Sequence, residues 1–487
     1  MKCTLARPVV CASILLLVSI LASSVSPAAA RSNHAAGVTH NVTSCAGTAP
    51  GWLHTQGPWV VDSKGKHVRL AGVTWDGMQT TTFIPGGLQY QPYTAILCTI
   101  KNLGFNTVRI PLSDQLVYRN SSITITQDIA ANPDLAGLHP LGVLDRIVAA
   151  AQHDGLMIIL DNHFSMPRYC SLKKKNCLAN GNPQGGPGTG TPTAWTDSGY
   201  NEQTWIADWT TLANRYSDAH PCGLEAQAAA DCGPTPTVIG FDLHNEPHTN
   251  FGHHRYNLND YLTRGATWGP YPNALHPDPR WKLSSDWAAG ADLAGSTILT
   301  TNPHLLMFVE GVQLYPDKTQ PRGVEVYTWG GIFRGVQTDP IVFTNLNTKQ
   351  PITDQLVYSP HEWGPWKDNL LGEFSYRTTY KTLLKIFMEN WAFLLHQKSP
   401  VPIWLGEFDT CNYSIKKCVS STSHGKQGQW FQLMLEFLKK NPQVGWSYYT
   451  INGTNWLNEA ENNSILNPTW TAVKLPALMT ALQTVQH

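Results

Sequence analysis

The chain has 487 residues, and its 34 Lys+Arg are balanced by 34 Asp+Glu, giving a formal charge of zero. Only 14% is charged, 42% is hydrophobic and 10% aromatic, which excludes a disordered chain, poor in apolar residues and high in net charge. The absence of a basic run excludes a nucleic-acid binder. With 18 Trp and 17 Tyr, the composition suits a neutral, polar, flat-faced ligand.

Residues 1–30 read as a secretory signal peptide: Lys2 and Arg7 at the start, an apolar run from Val9 to Ala22, then small residues Ser26 to Ala30. The run is shorter than the roughly 20 residues of a spanning helix. The mature protein is therefore expected outside the cell and free of the membrane. Residues 31–44 read as a flexible leader, and 45–487 as one large domain with no linker or repeat. Residues 53–66 suggest an N-terminal hairpin, with a turn at Ser63-Lys64-Gly65.

Short β-branched or aromatic runs follow at 68–75, 105–110, 156–161, 237–243, 304–310, 356–361, 402–407 and 443–449. Helical periodicity marks 141–154, 201–216, 283–299, 377–397, 427–440 and 469–484. Eight apolar strands alternating with helices predict an α/β fold, the (β/α)8 TIM barrel, with long loops at 165–200 and 249–282. An open doubly wound sheet is the competing fold, but no Gly-rich nucleotide fingerprint follows the first strand.

Eight cysteines remain beyond the leader, an even number that suggests disulfides in an exported chain. Eight cysteines allow about 105 connectivities. Sequence proximity suggests 170 with 177, 222 with 232 and 411 with 418, leaving 45 with 98.

In a barrel the carboxyl ends of the strands carry the chemistry. Those ends present Arg109, then Asp161-Asn162-His163, then His244-Asn245-Glu246-Pro247-His248, followed by Glu310, His361-Glu362-Trp363, Glu407 and Trp446. Glu246 ends strand four and Glu407 ends strand seven, so the two carboxylates face each other across the mouth. Such a pair suits glycoside hydrolysis, in which one carboxyl protonates the leaving oxygen while the other attacks carbon or activates water. A zinc site at His244 and His248 is disfavoured: the intervening Glu is misplaced for a His-Glu-x-x-His helix, and Pro247 breaks that helix. No metal and no cofactor are expected.

The string Gly240-Phe241-Asp242-Leu243-His244-Asn245-Glu246-Pro247-His248 resembles the acid/base signature of glycoside hydrolase family 5, the cellulase family. Asn106-Thr107-Val108-Arg109-Ile110-Pro111, Ile159-Leu160-Asp161-Asn162-His163, Phe308-Val309-Glu310-Gly311, Tyr358-Ser359-Pro360-His361 and Trp404-Leu405-Gly406-Glu407-Phe408 support it in the family's order, over roughly residues 50–485. The resemblance is strongest to bacterial secreted endo-β-1,4-glucanases.

That resemblance implies Glu246 as acid/base, Glu407 as nucleophile and retention of configuration. Glu246 would hold a proton until the leaving group takes it. Arg109 would supply positive charge beside Glu407, Asn245 would bond the sugar 2-hydroxyl, and His163 and His361 would line the reacting subsite. Trp446 would be the floor on which the sugar stacks. Trp363 stands where the family usually has a Tyr bonded to the nucleophile. The implied partner is a polysaccharide or oligosaccharide, cut by a monomer. Alternatives are the same mechanism on mannan, galactan, xyloglucan or a β-glycoside, and an inactive glycan-binding barrel.

Overall fold

The computed structural model describes residues 45–487 except 168–199, 226–231, 249–256, 260–264, 270–284, 366–373, 376, 423–425 and 456–457. The signal peptide, the leader, most of both long loops and the 170–177 cysteine pair lie outside the described residues. Residues 45–487 form one compact unit.

Eight parallel strands build the barrel: Ala71–Thr74, Thr107–Ser113, Met157–Phe164, Val238–Asp242, Leu306–Val309, a split sixth strand (Leu356–Tyr358 and His361–Glu362), Trp404–Phe408 and Gly445–Tyr448. Each pairs with its sequence neighbours. Strand six closes the ring because its first half pairs with strand five and its second half with strand seven. Strands one and eight pair as well, Trp446 lying opposite Ala71. The split falls at Ser359-Pro360, where proline has no N–H to give the ladder.

The expected helices form at Pro140–His153, Glu202–Arg215, Trp287–Thr301, Tyr380–Asn390, Gln427–Lys440 and Pro476–Gln483. Trp287–Thr301 starts later than periodicity predicts because Asp286 caps it, its side chain accepting from the Ala289 N–H. A helix at Tyr93–Asn102, not foreseen, buries Ile96, Leu97 and Ile100.

The hairpin pairs Leu53–Gln56 with Trp59–Asp62. Its turn is Gly57-Pro58 rather than Ser63-Lys64-Gly65, and the latter turn instead leads the chain back to a bridge between Val61 and His67. Leu53 and Val60 pack with Met157, Ile159, Leu306, Phe308, Val357 and Trp404, so the hairpin plugs the lower end of the barrel. The outward strand faces, including Val108, Ile158, Phe241, Met307 and Trp446, pack in the larger core with the helices.

Disulfides join Cys45 to Cys98, Cys222 to Cys232 and Cys411 to Cys418.

Candidate active site

Strand alternation sets the site. Above the apolar plug the inward side chains turn polar: Arg109, Asp161, Asp242, Glu310, His361 and Glu407 are all nearly inaccessible. Arg109 is the hub. Its Nε–H donates to Asp242 Oδ2 at 3.0 Å, Nη1–H to Glu407 Oε1, and Nη2–H to Asn245 Oδ1 at 3.1 Å. Nη2 also lies 3.1 Å from Asp161 and 3.5 Å from Glu310. Burial opposes its charge, but Asp161, Asp242, Glu407 and Glu310 outweigh it and hold the guanidinium protonated well above its ordinary pKa.

Glu246 follows strand four in a left-handed conformation, φ +49°, a strained state for a non-glycine residue. Its N–H donates to Glu310 Oε2 at 2.7 Å. Its Oε1 accepts two bonds, from His361 Nδ1 and from Trp363 Nε1, each at 3.0 Å. Burial would lift its pKa, but the His361 bond and charge, then the Trp363 N–H, outweigh burial and hold the carboxyl at about 2. The two donors on Oε1 thus favour the ionised form of Glu246 in the free site.

His361 sits between acids: Nδ1 is 3.9 Å from Glu407 Oε2, and Nε2 is 3.0 Å from Glu310 Oε1. Burial opposes its charge, yet Glu310 and Glu407 push its pKa well above the usual value. Burial also drives Glu310 well up and lifts Asp242 to about 7. One oxygen of Glu246, one nitrogen of His361 and one oxygen of Glu407 lie within 4.8 Å of one another. Glu246, His361 and Glu407, like Asp242, Glu310 and His361, could ligate a metal by spacing alone, but these acids already accept from Arg109, His361 or Trp363. His244 and His248 diverge: one contacts Trp205 and Trp287, the other stacks on Trp329.

His163 Nδ1 is tied to Asp161 Oδ2 at 2.7 Å, which leaves Nε2 as the ring's other polar atom. Asn245 accepts from Arg109 through Oδ1, so its NH₂ is left as the outward donor.

Two tryptophan expectations change. Trp446 is fully buried outside the barrel wall, edge-on to Phe105 and Phe408, with its N–H on Val485 O at 3.0 Å. It cannot be a sugar floor, because Ser447 points inward to Thr74, 3.3 Å away, and its neighbour must point out. The next inward position is Tyr449, which is half-buried, donates its hydroxyl to Asp76 at 2.9 Å and stands edge-on to Trp363, 6.0 Å away. Trp363 bonds Glu246, not the nucleophile candidate.

Beside Asp76 and Tyr449 opens a polar concavity lined by Thr80, Gln89, Asp128, Asn452, Asn455 and Asn458, among others. On the other flank Trp329, 39% exposed, stacks face to face on His248 at 3.9 Å. Neither Tyr449 nor this pair was singled out as a site from sequence; alternation past Ser447 was the signal for Tyr449.

The family model described as cellulase (glycosyl hydrolase family 5) matches residues 61–455. An endoglucanase of Paenibacillus polymyxa is 29% identical over 89% of this chain and 87% of its own. The major extracellular endoglucanase of Xanthomonas campestris is 28% identical over 63% of this chain, which spans about half (48%) of that relative's length. The endocellulase of Pyrococcus horikoshii, solved in complex with cellotetraose, superposes with TM-score 0.66 at 23% identity, covering 90% of this chain and 99% of that one. These likenesses agree with the barrel.

Proposed function

This chain belongs to glycosyl hydrolase family 5, and on that footing we propose that it is a secreted, retaining endo-β-1,4-glucanase with Glu246 as acid/base and Glu407 as nucleophile. The observation that carries the reading is the approach of the two carboxylates, with oxygens within 4.8 Å around His361. Retaining enzymes hold their carboxyls about 5–5.5 Å apart, whereas inverting enzymes leave about 6.5–9.5 Å for a water.

In the first step a Glu407 oxygen bonds to the anomeric carbon as the C–O bond to the leaving sugar breaks, and Glu246 gives that oxygen its proton. In the second, water attacks the same carbon, its proton passes to Glu246, and the Glu407 ester bond breaks. Glu246 takes up its proton in the substrate complex: a sugar over the site removes water, and desolvation favours the neutral carboxyl. Asn245 offers its NH₂ to the 2-hydroxyl, His163 its Nε2 to the cleft, and Tyr449 takes the stacking role expected of Trp446. Endoglucanase relatives and the cellotetraose complex support β-1,4-glucan as the substrate. The apolar run at 9–22 and its small-residue flank support export.

The test is reducing-sugar release from β-glucan, carboxymethyl cellulose, mannan, xyloglucan and galactan, beside Glu246→Gln and Glu407→Gln. Cleavage of the glucans by the wild type and by neither variant is expected. Cleavage of mannan or galactan alone would overturn the substrate, and undiminished activity in Glu407→Gln would overturn the mechanism.

A further inference from the structure

Two N–H donors converge on one oxygen of Glu246. His361 Nδ1 and Trp363 Nε1 each lie 3.0 Å from Oε1. Oε2 accepts no hydrogen bond among the described residues, and an oxygen and a nitrogen of the facing Glu407 and His361 complete the close trio. An indole N–H donates and never accepts, so its bond to Oε1 has a single sense. The His361 Nδ1–H bond has the same sense while Nδ1 carries its proton. Protonating Oε1 would place a third hydrogen against these two donors and cost one of the bonds. Protonating Oε2 keeps both, because Oε1 is then the carbonyl oxygen and still accepts.

Resting on the reading of Glu246 as acid/base, we propose that Trp363 is a positioning residue for that carboxyl: with His361 it pins Oε1, so the proton for the leaving oxygen travels on Oε2 alone. The surroundings make the pin rigid. Trp363 is 8% exposed and stands edge-on to Tyr449, whose hydroxyl is held by Asp76. The Glu246 backbone is fixed from below by the Glu310 carboxylate. Trp363 thus acts on proton transfer from a position that does not require contact with the reacting atoms.

The pin also biases titration. A donor to the carboxylate favours the ionised form, so removing it raises the Glu246 pKa, and the basic limb of kcat, which reports loss of the acid's proton in the substrate complex, moves to higher pH.

The experiment compares wild type, Trp363→Phe and Glu246→Gln on two aryl cellobiosides, dinitrophenyl with a good leaving group and unsubstituted phenyl with a poor one, over a pH series. A good leaving group departs without protonation, so its rate is insensitive to the acid. Trp363→Phe is expected to lose about tenfold or more in kcat/KM on the phenyl substrate, as for one hydrogen bond to a charged group, and under about threefold on the dinitrophenyl substrate. Its basic limb moves up. Equal losses on both substrates with an unmoved limb would overturn the proposal, leaving Trp363 a packing residue. If Glu246→Gln itself shows no leaving-group dependence, the assignment of the acid falls instead, which separates the two failures. Thermal unfolding of Trp363→Phe confirms that the fold is intact.

Discussion

Replacing Arg109 with methionine removes the one guanidinium among the described residues that faces Asp161, Asp242, Glu310 and Glu407, all at most 3% exposed. Three donors would be lost at once: Nε to Asp242, Nη1 to Glu407 and Nη2 to Asn245. Removing one partner of a buried ion pair costs about 3–5 kcal/mol because the other charge stays buried and unpaired. Here several carboxylates share the loss, so that range is a floor at alkaline pH. Relief comes by protonation. Asp242 and Glu310, already above their unfolded pKa values through burial, rise further without Arg109, so the native state binds more protons than the unfolded one and stability grows as pH falls.

Urea unfolding of wild type and Arg109→Met should therefore show a deficit of about 3–5 kcal/mol or more near pH 8, narrowing near pH 5. Arg109→Lys should recover part of the stability but little kcat, since one ammonium cannot reach Glu407, Asn245 and Asp242 together. A deficit under about 1 kcal/mol, or one equal at both pH values, would refute the picture of a charge hub.

Asp292 accepts from the Val342 N–H at 2.7 Å, and burial lifts its pKa to about 7. A folded pKa above the unfolded value means stability that is present below about pH 4 and lost as pH rises through about 7; Asp292→Asn should flatten that decline in calorimetric Tm, and a curve parallel to wild type would contradict it. Opening the Cys45–Cys98 bridge, which spans 53 residues, should cost about 4 kcal/mol on chain entropy, against about 3 for Cys222–Cys232, which spans 10. Serine pairs at each bridge, unfolded in denaturant, give the order, and a reversed order would show that native-state contacts outweigh chain entropy. Gln89 donates to Asn458 at 2.7 Å on the rim of the polar concavity. If that concavity holds a sugar unit, Gln89→Ala should raise KM for long cello-oligosaccharides and spare short ones, whereas equal KM at every length would exclude it as a subsite.

What the sequence made legible follows from how locally each feature is encoded. A buried parallel strand reads as an apolar run, and a polar residue at its carboxyl end stands out against it; Arg109, Glu246, His361 and Glu407 were all recognisable that way, and the barrel brings them together. Side choice needs one further step. In Trp446-Ser447-Tyr448-Tyr449 the pleat sends alternate residues to opposite faces, and Ser447 inward means Trp446 outward and Tyr449 at the mouth. Large aromatic character alone pointed to the wrong residue. Partner choice is less local still. Whether the Trp363 N–H reaches Glu407, one strand along, or Glu246, two strands back, depends on barrel stagger and on the left-handed turn at Glu246, and neither is written in residues 361–363. The resting charge of Glu246 has the same origin. Its low pKa comes from two donors on strand six, 115 and 117 residues away in sequence, so a motif names the carboxyl while the tertiary fold decides which of its oxygens can carry the proton.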